Sequence, residues 1–220
     1  MGDGALEQSL DLISGLEIRT PDFSRSGFFI SDTGRVITTT SAVMSCERVT
    51  LDEIYDADVV ARDDALGLAL LSPREALAPI EFARFQPGIP RLKSEIAVAG
   101  YSFEGALGAP TMTFGTLADL KGLRGETEVD RLALAASDGD AGGPVFDSTG
   151  SVMGMLLPDI SNGSKQLPED VSFSTDALSI VEFLNNNGVV PTQSDRTENL
   201  AAEFLTTQAT NLTVLVSCWN

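Results

Sequence analysis

The most informative stretch of the chain is Ser137-Asp138-Gly139-Asp140-Ala141-Gly142-Gly143-Pro144, in which three glycines and a proline fall within eight residues. This composition predicts a tight turn that leads into a strand at Pro144–Asp147. Consecutive glycine N–H groups in such a turn can form a concave nest for a carbonyl group or a small anion. Asp138 and Asp140 argue against an anion, because their negative charges flank the turn.

On both sides of this turn, short apolar segments alternate with turn signals every eight to twelve residues, which is typical of an all-β sandwich or barrel. Twenty glycines and ten prolines supply turn positions and argue against a helical bundle. The predicted strands before the turn are Leu16–Arg19, Gly27–Ser31, Arg35–Thr39, Arg48–Leu51, Ala57–Ala61, Leu66–Leu71, Glu95–Gly100, Thr111–Leu117 and Arg131–Leu134. Those that follow it are Pro144–Asp147, Val152–Leu157 and Val171–Ser174.

The pattern changes near the C-terminus. Thr175–Asn185 carries apolar residues at helical spacing and is predicted to be a helix. A polar linker, Pro191–Glu198, precedes a second short helix at about Glu198–Thr207 and a last strand at Thr213–Cys218. That strand is expected to pack against the rest of the fold, because its apolar side chains are poorly suited to a free tail.

The charge and composition exclude several classes of partner. The chain has 32 acidic and 14 basic residues, and its formal charge of −18 would repel nucleic-acid phosphates and anionic membranes. No apolar run is long enough for membrane insertion. With no histidine and only two cysteines, a zinc site is not expected, and the acidic pairs lack EF-hand spacing. No metal and no other cofactor is therefore predicted.

The two cysteines, Cys46 and Cys218, could form one disulfide or remain as two free buried thiols. If the last strand returns to the body of the fold, Cys218 could reach Cys46, which favours the disulfide. A disulfide suits an exported protein. The first residues are neither basic nor apolar, so a signal peptide is not part of this sequence, and a periplasmic or secreted location is the expectation.

Three segments together resemble the signatures of trypsin-like serine proteases of the chymotrypsin fold, and most closely those of the bacterial HtrA type. The stretch Ser137–Pro144 is similar to G-x-S-G-G-P, Gly34–Val43 is similar to G-x-(V/I)-(L/I)-T-x-x-H-V-V, and Asp63–Leu71 is similar to D-x-x-x-D-(L/I)-A-L-L. Their order along the chain is that of the family. The positions of the catalytic histidine, aspartate and serine are taken by Ser41, Gly67 and Ala141.

The resemblance covers about Phe23 to Asn187 and implies a specific architecture. It predicts two six-stranded antiparallel β-barrels, followed by C-terminal helices and a returning terminal strand. The predicted division is a lead-in at 1–22, the double barrel at 23–187 and a C-terminal extension at 188–220.

The resemblance also implies two vestigial sites. The oxyanion hole would be formed by the backbone at Gly139, Asp140 and Ala141, and either stays intact or has collapsed. The substrate pocket would have Ala135 at its base and Met155-Leu156-Leu157 along its wall, and would suit a small aliphatic side chain if these residues do not fill it. The edge of that wall strand could also pair with an extended peptide.

The predicted function follows from the vacant positions. Acyl transfer needs a hydroxyl nucleophile, a base and a carboxylate that orients the base, and this chain has none of them at the expected places. The expectation is a catalytically inactive homologue, a pseudoprotease, that binds a protein or an extended peptide in the cell envelope. The alternatives are a structural accessory domain of a larger envelope protein, such as a wall-binding one, and an active serine endopeptidase with non-standard residues.

Overall fold

The computed structural model describes residues 19–159 and 167–220, so the predicted strand Leu16–Arg19 lies almost wholly outside the described residues. The described residues form mostly strands, with two helices near the C-terminus. The elements up to the quoted turn are β1 (Phe23–Phe29), β2 (Val36–Thr39), β3 (Arg48–Leu51), β4 (Tyr55–Asp63), β5 (Leu68–Pro73), β6 (Arg84–Phe85), β7 (Glu95–Gly100), β8 (Thr111–Asp119) and β9 (Val129–Ala133). Those after it are β10 (Pro144–Asp147), β11 (Val152–Leu156), β12 (Val171–Asp176), α1 (Ala177–Asn186), β13 (Thr192–Gln193), α2 (Ala202–Leu212) and β14 (Thr213–Trp219).

The first barrel is a closed antiparallel ring in the order β1-β14-β3-β4-β5-β2. The last strand of the chain is an integral part of it, because β14 pairs with β1 at Gly27↔Val214 and with β3 at Val216↔Leu51. Val214 and Val216 are fully buried in the barrel interior. The predicted returning strand is confirmed, and without it the ring would have two open edges.

The second barrel closes in the order β10-β7-β8-β9-β12-β11, with β10 paired back to β11. Outside the ring, the two-residue strands β6 and β13 add to β11 through parallel pairing. The sequence did not predict them, because two residues show no periodicity, and β13 lies within the predicted linker Pro191–Glu198. The predicted pair of six-stranded barrels is otherwise confirmed.

The first strand begins at Phe23, whereas the sequence predicted Gly27. Ser24 and Ser26 are both almost completely buried, which hides the strand from a hydropathy pattern. Their hydroxyl groups are satisfied inside the fold; Ser24, for example, hydrogen-bonds the Ser217 hydroxyl across β1 and β14 at 2.8 Å. Burial of these polar groups is tolerated because they have partners.

Both helices are shifted from their predicted bounds. The carboxylate of Asp176 caps α1 by accepting from the N–H groups of Leu178 and Ser179 at 2.8 and 3.0 Å, and the preceding Thr175 still belongs to β12. The helix α2 begins later than Glu198, because the N–H of Leu200 is held by a carbonyl outside the helix. No helix within residues 19–159 and 167–220 is long and apolar enough to cross a bilayer.

A disulfide joins Cys46 to Cys218, with 5.3 Å between the Cα atoms, as predicted. It connects the segment before β3 to the end of β14, where the backbone N–H of Glu47 also donates to the Trp219 carbonyl at 3.0 Å. The indole N–H of Trp219 donates to the Thr50 hydroxyl at 2.8 Å. The disulfide therefore holds the closing strand of the first barrel in place.

Removal of this cross-link is expected to destabilise the protein strongly. The disulfide spans a sequence separation of 172 residues, and loop-closure entropy for so long a loop corresponds to about 4–5 kcal/mol. The double variant Cys46→Ala/Cys218→Ala should lose about that much free energy of unfolding in urea titrations. A reductant should destabilise the unmodified protein and leave the double variant unchanged; equal stability of oxidised and reduced protein would contradict the argument.

Candidate functional site

The turn that carries the family-like signature is fixed to both barrels through one buried side chain. The hydroxyl of Ser26, in β1 of the first barrel, donates to the Gly139 carbonyl at 2.8 Å. It also accepts from the N–H of Tyr101, which follows β7 of the second barrel, at 2.7 Å. The N–H of Ser26 donates to the Ala141 carbonyl at 3.0 Å. The turn therefore connects the two barrels through these hydrogen bonds.

The glycines of this turn are required by packing. Gly142 has φ of +90°, and a Cβ there would overlap the Ser26 carbonyl oxygen. A Cβ at Gly139 would overlap the carbonyl of Tyr101, and one at Gly143 would overlap that of Ala99. The pattern of glycines therefore has a structural reason that does not depend on catalysis.

The side chain of Asp140 is turned into the protein. It is 2% exposed, and its carboxylate accepts from the Ser102 hydroxyl at 2.6 Å and from the Ser137 N–H at 2.9 Å. A Cβ at Gly100 would lie 2.5 Å from one of its carboxylate oxygens, so the neighbouring strand leaves room for it. Asp140 is consequently a structural residue of the turn and does not face the cleft.

The predicted oxyanion cradle at Gly139, Asp140 and Ala141 has one of its backbone donors engaged within the turn. Asp138–Asp140 forms a single 3₁₀ turn, and the N–H of Ala141 donates to the Asp138 carbonyl at 3.2 Å. One of the two donors that the resemblance implies is therefore engaged within the turn. Such a turn satisfies an N–H group that would otherwise be buried without a partner.

The positions of the missing histidine and aspartate lie side by side. Ser41 is in a 3₁₀ turn, Thr40–Ala42, that directly follows β2, and Gly67 directly precedes β5. The N–H of Thr40 donates to the Gly67 carbonyl at 3.0 Å. The Ser41 hydroxyl hydrogen-bonds only its neighbour Thr39 among the described residues, at 3.0 Å.

The position of the missing serine is joined to the same region through β2. The hydroxyl of Thr38, three residues before Ser41, donates to the Ser26 carbonyl at 2.7 Å. That hydroxyl would also lie 2.7 Å from a Cβ on Gly142, the residue after Ala141. The fold thus brings Ser41, Gly67 and Ala141 into one region between the barrels, where Ser41 lines a cavity and Ala141 is 1% exposed.

Gly67 is not an easy position to refill. Its φ is +71°, and a Cβ there would be 2.9 Å from the Cδ2 atom of Leu157. An aspartate would need both a left-handed backbone and a shift of Leu157. Leu157 therefore partly occupies the space that an orienting carboxylate would use.

A cavity of about 500 Å³ opens at the predicted substrate pocket. Ala135 and Leu157 line it, as predicted. Met155 and Leu156 do not, and this part of the prediction is wrong. Both are almost fully buried on opposite faces of β11, Met155 in the core between the barrels and Leu156 inside the second barrel. A strand covered on both faces has no side that can line a pocket.

The cavity is acidic, whereas the sequence analysis expected an apolar pocket. Asp138, Asp159 and Glu169 line it, and no Lys or Arg does so among the described residues. Asp138 and Asp159 also line an adjoining cavity of about 260 Å³ that contains Ser41 and Arg25. The guanidinium of Arg25 is already paired with Glu104 at 2.6 Å. Asp159 and Glu169 had no motif to mark them, because they lie in a connection without regular spacing.

The comparisons with known proteins agree with this geometry. The family profile of the trypsin-like peptidase domain matches residues 25–155, which is more than half of the chain. The chain belongs to this family. Ser41, Gly67 and Ala141 stand at the positions that the resemblance described above assigns to histidine, aspartate and serine.

One curated relative is uncharacterized protein y4bJ of Sinorhizobium fredii (strain NBRC 101917 / NGR234). It is 27% identical over 203 residues, which cover 88% of this chain and 32% of the relative. The chain thus spans about a third of the length of that relative.

Two solved structures share the fold. An inactive form of Rv3671c from M. tuberculosis H37Rv, a serine-to-alanine mutant, is 25% identical with a TM-score of 0.56, covering 76% of this chain and 85% of that one. The serine endoprotease from Yersinia pestis is 19% identical with a TM-score of 0.60, covering 74% of this chain and 57% of that one. At 19% identity, the similarity to the Yersinia pestis protease supports a shared fold and nothing further.

The packing role of the turn can be tested with two matched glycine variants. Gly142 and Gly125 both have φ of +90°, but a Cβ at Gly125 meets nothing within 4 Å. Gly125→Ala should cost about 1–2 kcal/mol of unfolding free energy from backbone strain alone. Gly142→Ala should cost about 3–5 kcal/mol, because it adds the overlap with β1. Similar losses in chemical denaturation would show that the turn is not held by close packing.

Proposed function

We propose that this chain is a catalytically inactive trypsin-like domain that binds an extended segment of a partner protein in the cleft between its barrels. The observation that carries the proposal is the simultaneous vacancy at Ser41, Gly67 and Ala141 beside an open acidic cavity. One vacant position could be compensated by a neighbour. Three vacant positions, in a sequence of 220 residues that contains no histidine, leave no imidazole base for any serine of the cleft.

The surroundings of these positions support the same conclusion. The Ala141 N–H, which would stabilise a developing oxyanion, is donated to the Asp138 carbonyl. Preorganised donors of this kind are a large part of catalysis in acyl transfer. The space beside Gly67 is taken by Leu157. Both features support the proposal of an inactive domain.

The carboxylates of the cavity are suited to binding a positively charged group. Asp138, Asp159 and Glu169 are all exposed at its surface and have no cation among its lining residues in the described part of the chain. The strand β11 is paired on both sides, with β10 and β12, so a peptide would not add a strand there. We infer that the partner inserts a lysine or arginine side chain between these carboxylates, and that complementary charge sets its specificity.

The proposed compartment is the periplasm or the exterior of the cell. The cross-link between Cys46 and Cys218 ties the closing strand to the first barrel. Cytosolic thiol systems keep such bonds reduced, whereas exported proteins retain them. A binding or scaffolding role in the cell envelope fits this requirement.

A second candidate is a structural accessory domain of a longer protein. It is favoured by the curated relative, of which this chain corresponds to 32%. In that case the acidic cavity would have no ligand of its own, and peptides of different charge would bind equally poorly. The two candidates are therefore separated by the peptide experiment described below.

Restoring the three catalytic residues is not expected to restore activity. The triple variant Ser41→His/Gly67→Asp/Ala141→Ser would still have its oxyanion donor engaged and a strained residue 67. Neither the parent protein nor this variant should be labelled by a fluorophosphonate probe or hydrolyse a peptide substrate. A known active serine protease serves as the positive control. Labelling of the parent protein would contradict the proposed function.

Binding should depend on the charge of the peptide. Extended peptides with a central lysine or arginine should bind more tightly than the same peptides with glutamate, as measured by fluorescence anisotropy at low salt. Asp159→Asn and Glu169→Gln should each weaken this binding by roughly two- to five-fold, because exposed ion pairs contribute up to about 1 kcal/mol. Glu75→Gln removes an exposed charge away from the cavity and is the matched control. Binding that ignores the sign of the peptide, or that Glu75→Gln weakens equally, would count against the proposal.

A further inference from the structure

A second cavity, of about 220 Å³, lies beside the N-terminus of α1. Its walls are mostly apolar and come from the segment after β6, the end of β8, β11 and the first turn of α1. It is at the far end of the β9–β12 pair from the cleft, because Ala133↔Val171 pair near the cleft and Val129↔Thr175 pair near this cavity. The lining side chains used below are Gln86, Ile89, Leu120, Asp130, Met153 and Asp176.

Two acceptor atoms of this cavity have no partner. Asp130 is 2% exposed, and its Oδ2 atom is buried without a hydrogen bond among the described residues. The Oε1 atom of Gln86 is also buried without a hydrogen bond among the described residues. Asp130 shares a face of β9 with the buried Leu132, so its side chain points into the end of the second barrel. A buried carboxylate without a partner costs free energy unless a ligand supplies the missing donors.

The charges around Asp130 are negative. Burial, followed by the charges of Asp176 at the end of β12 and Asp119 on β8, raises the pKa of Asp130 to about 7. The cation on the same strand, Arg131, is paired with Asp119 at 3.0 Å. The first N–H groups of α1 are already accepted by Asp176. The segment after β6 and the strand β11 contribute the uncharged Gln86 and Met153.

We propose that this cavity binds a primary ammonium group on a short apolar stem, with Asp130 as its counter-ion. An ammonium group has three donors, which can satisfy the unpartnered oxygens of Asp130 and Gln86. The walls formed by Ile89, Leu120 and Met153 suit the methylene groups of the stem. A metal ion fits less well, because no group of three or more His, Cys, Asp or Glu residues in the described part of the chain could hold one.

The proposal implies a definite dependence on pH. The ammonium binds the ionised form of Asp130, so affinity rises as the pH passes through about 7, the pKa of this carboxyl. Between pH 8.5 and pH 5.5 the affinity should fall about thirty-fold, because the ionised fraction falls by that factor. In the unliganded protein, folding stability changes with pH in the direction opposite to the ligand affinity. The folded state holds this proton more tightly than the unfolded state, so stability is lost as the pH rises from about 4, the ordinary pKa of an aspartate, to about 7.

The test uses n-butylammonium as the probe and n-butanol as its uncharged isostere, with binding followed by calorimetry and by the shift of the thermal midpoint. We expect n-butylammonium to bind at pH 8.5, to bind about thirty-fold more weakly at pH 5.5, and n-butanol not to reproduce either result. The variant Asp130→Asn keeps the shape of the side chain and should abolish binding. Equal effects of the two probes, or unchanged binding to Asp130→Asn, would overturn the proposal.

A second measurement separates a ligand site from a purely structural aspartate. Without ligand, Asp130→Asn should be more stable than the parent protein at pH 8.5 by a few degrees, and this difference should be smaller at pH 5.5 and smallest near pH 4, the ordinary pKa of an aspartate. A loss of stability at pH 8.5 would mean that Asp130 is satisfied within the protein, and would overturn the proposal. Tighter binding of Nα-acetyl-lysine methylamide than of n-butylammonium would assign the ammonium to a polypeptide side chain, and weaker binding would assign it to a free amine. Because this site is remote from the cleft, its result does not depend on the proposed function.

Discussion

The close contact between the Gly139–Gly143 turn and the backbone of β1 is the constraint on which the rest of the structure depends. The Ser26 side chain and backbone connect this turn to the first barrel, and the N–H of Tyr101 connects the same hydroxyl to the second. Carbonyl oxygens lie so near the glycine Cα atoms that no side chain can be added. The two barrels keep their relative position because the atoms of this contact are closely packed.

This constraint gives the glycines of the family-like signature a packing role that is independent of catalysis. The glycines of the turn and the serine of β1 are needed for packing, whatever residue stands at position 141. Gly67 and Ala141 are also constrained, because Gly67 has a φ of +71° and Ala141 is 1% exposed. The turn has in addition adopted a 3₁₀ conformation that satisfies the Ala141 N–H internally.

Negative charge is used in two different ways in this molecule. Around the cleft, exposed carboxylates line a wide cavity and remain in contact with water. At the start of α1, Asp130 is buried among apolar walls and other carboxylates, which raises its pKa to about 7. The first arrangement favours weak and salt-sensitive recognition. The second favours one specific cation, because an unpaired buried carboxylate is costly.

The sequence by itself determined the fold and the residue identities at Ser41, Gly67 and Ala141, because both can be read locally, from turn glycines, short apolar strands and the side chains at three positions. It also indicated the pairing of Cys46 with Cys218, since a terminal apolar strand has to be covered. Only the tertiary structure decided that Met155 and Leu156 are core residues, that Asp159 and Glu169 make the cavity acidic, and that Asp130 is buried. These properties arise from segments far apart in the chain, and burial or charge that depends on distant neighbours leaves no periodicity for a sequence to display.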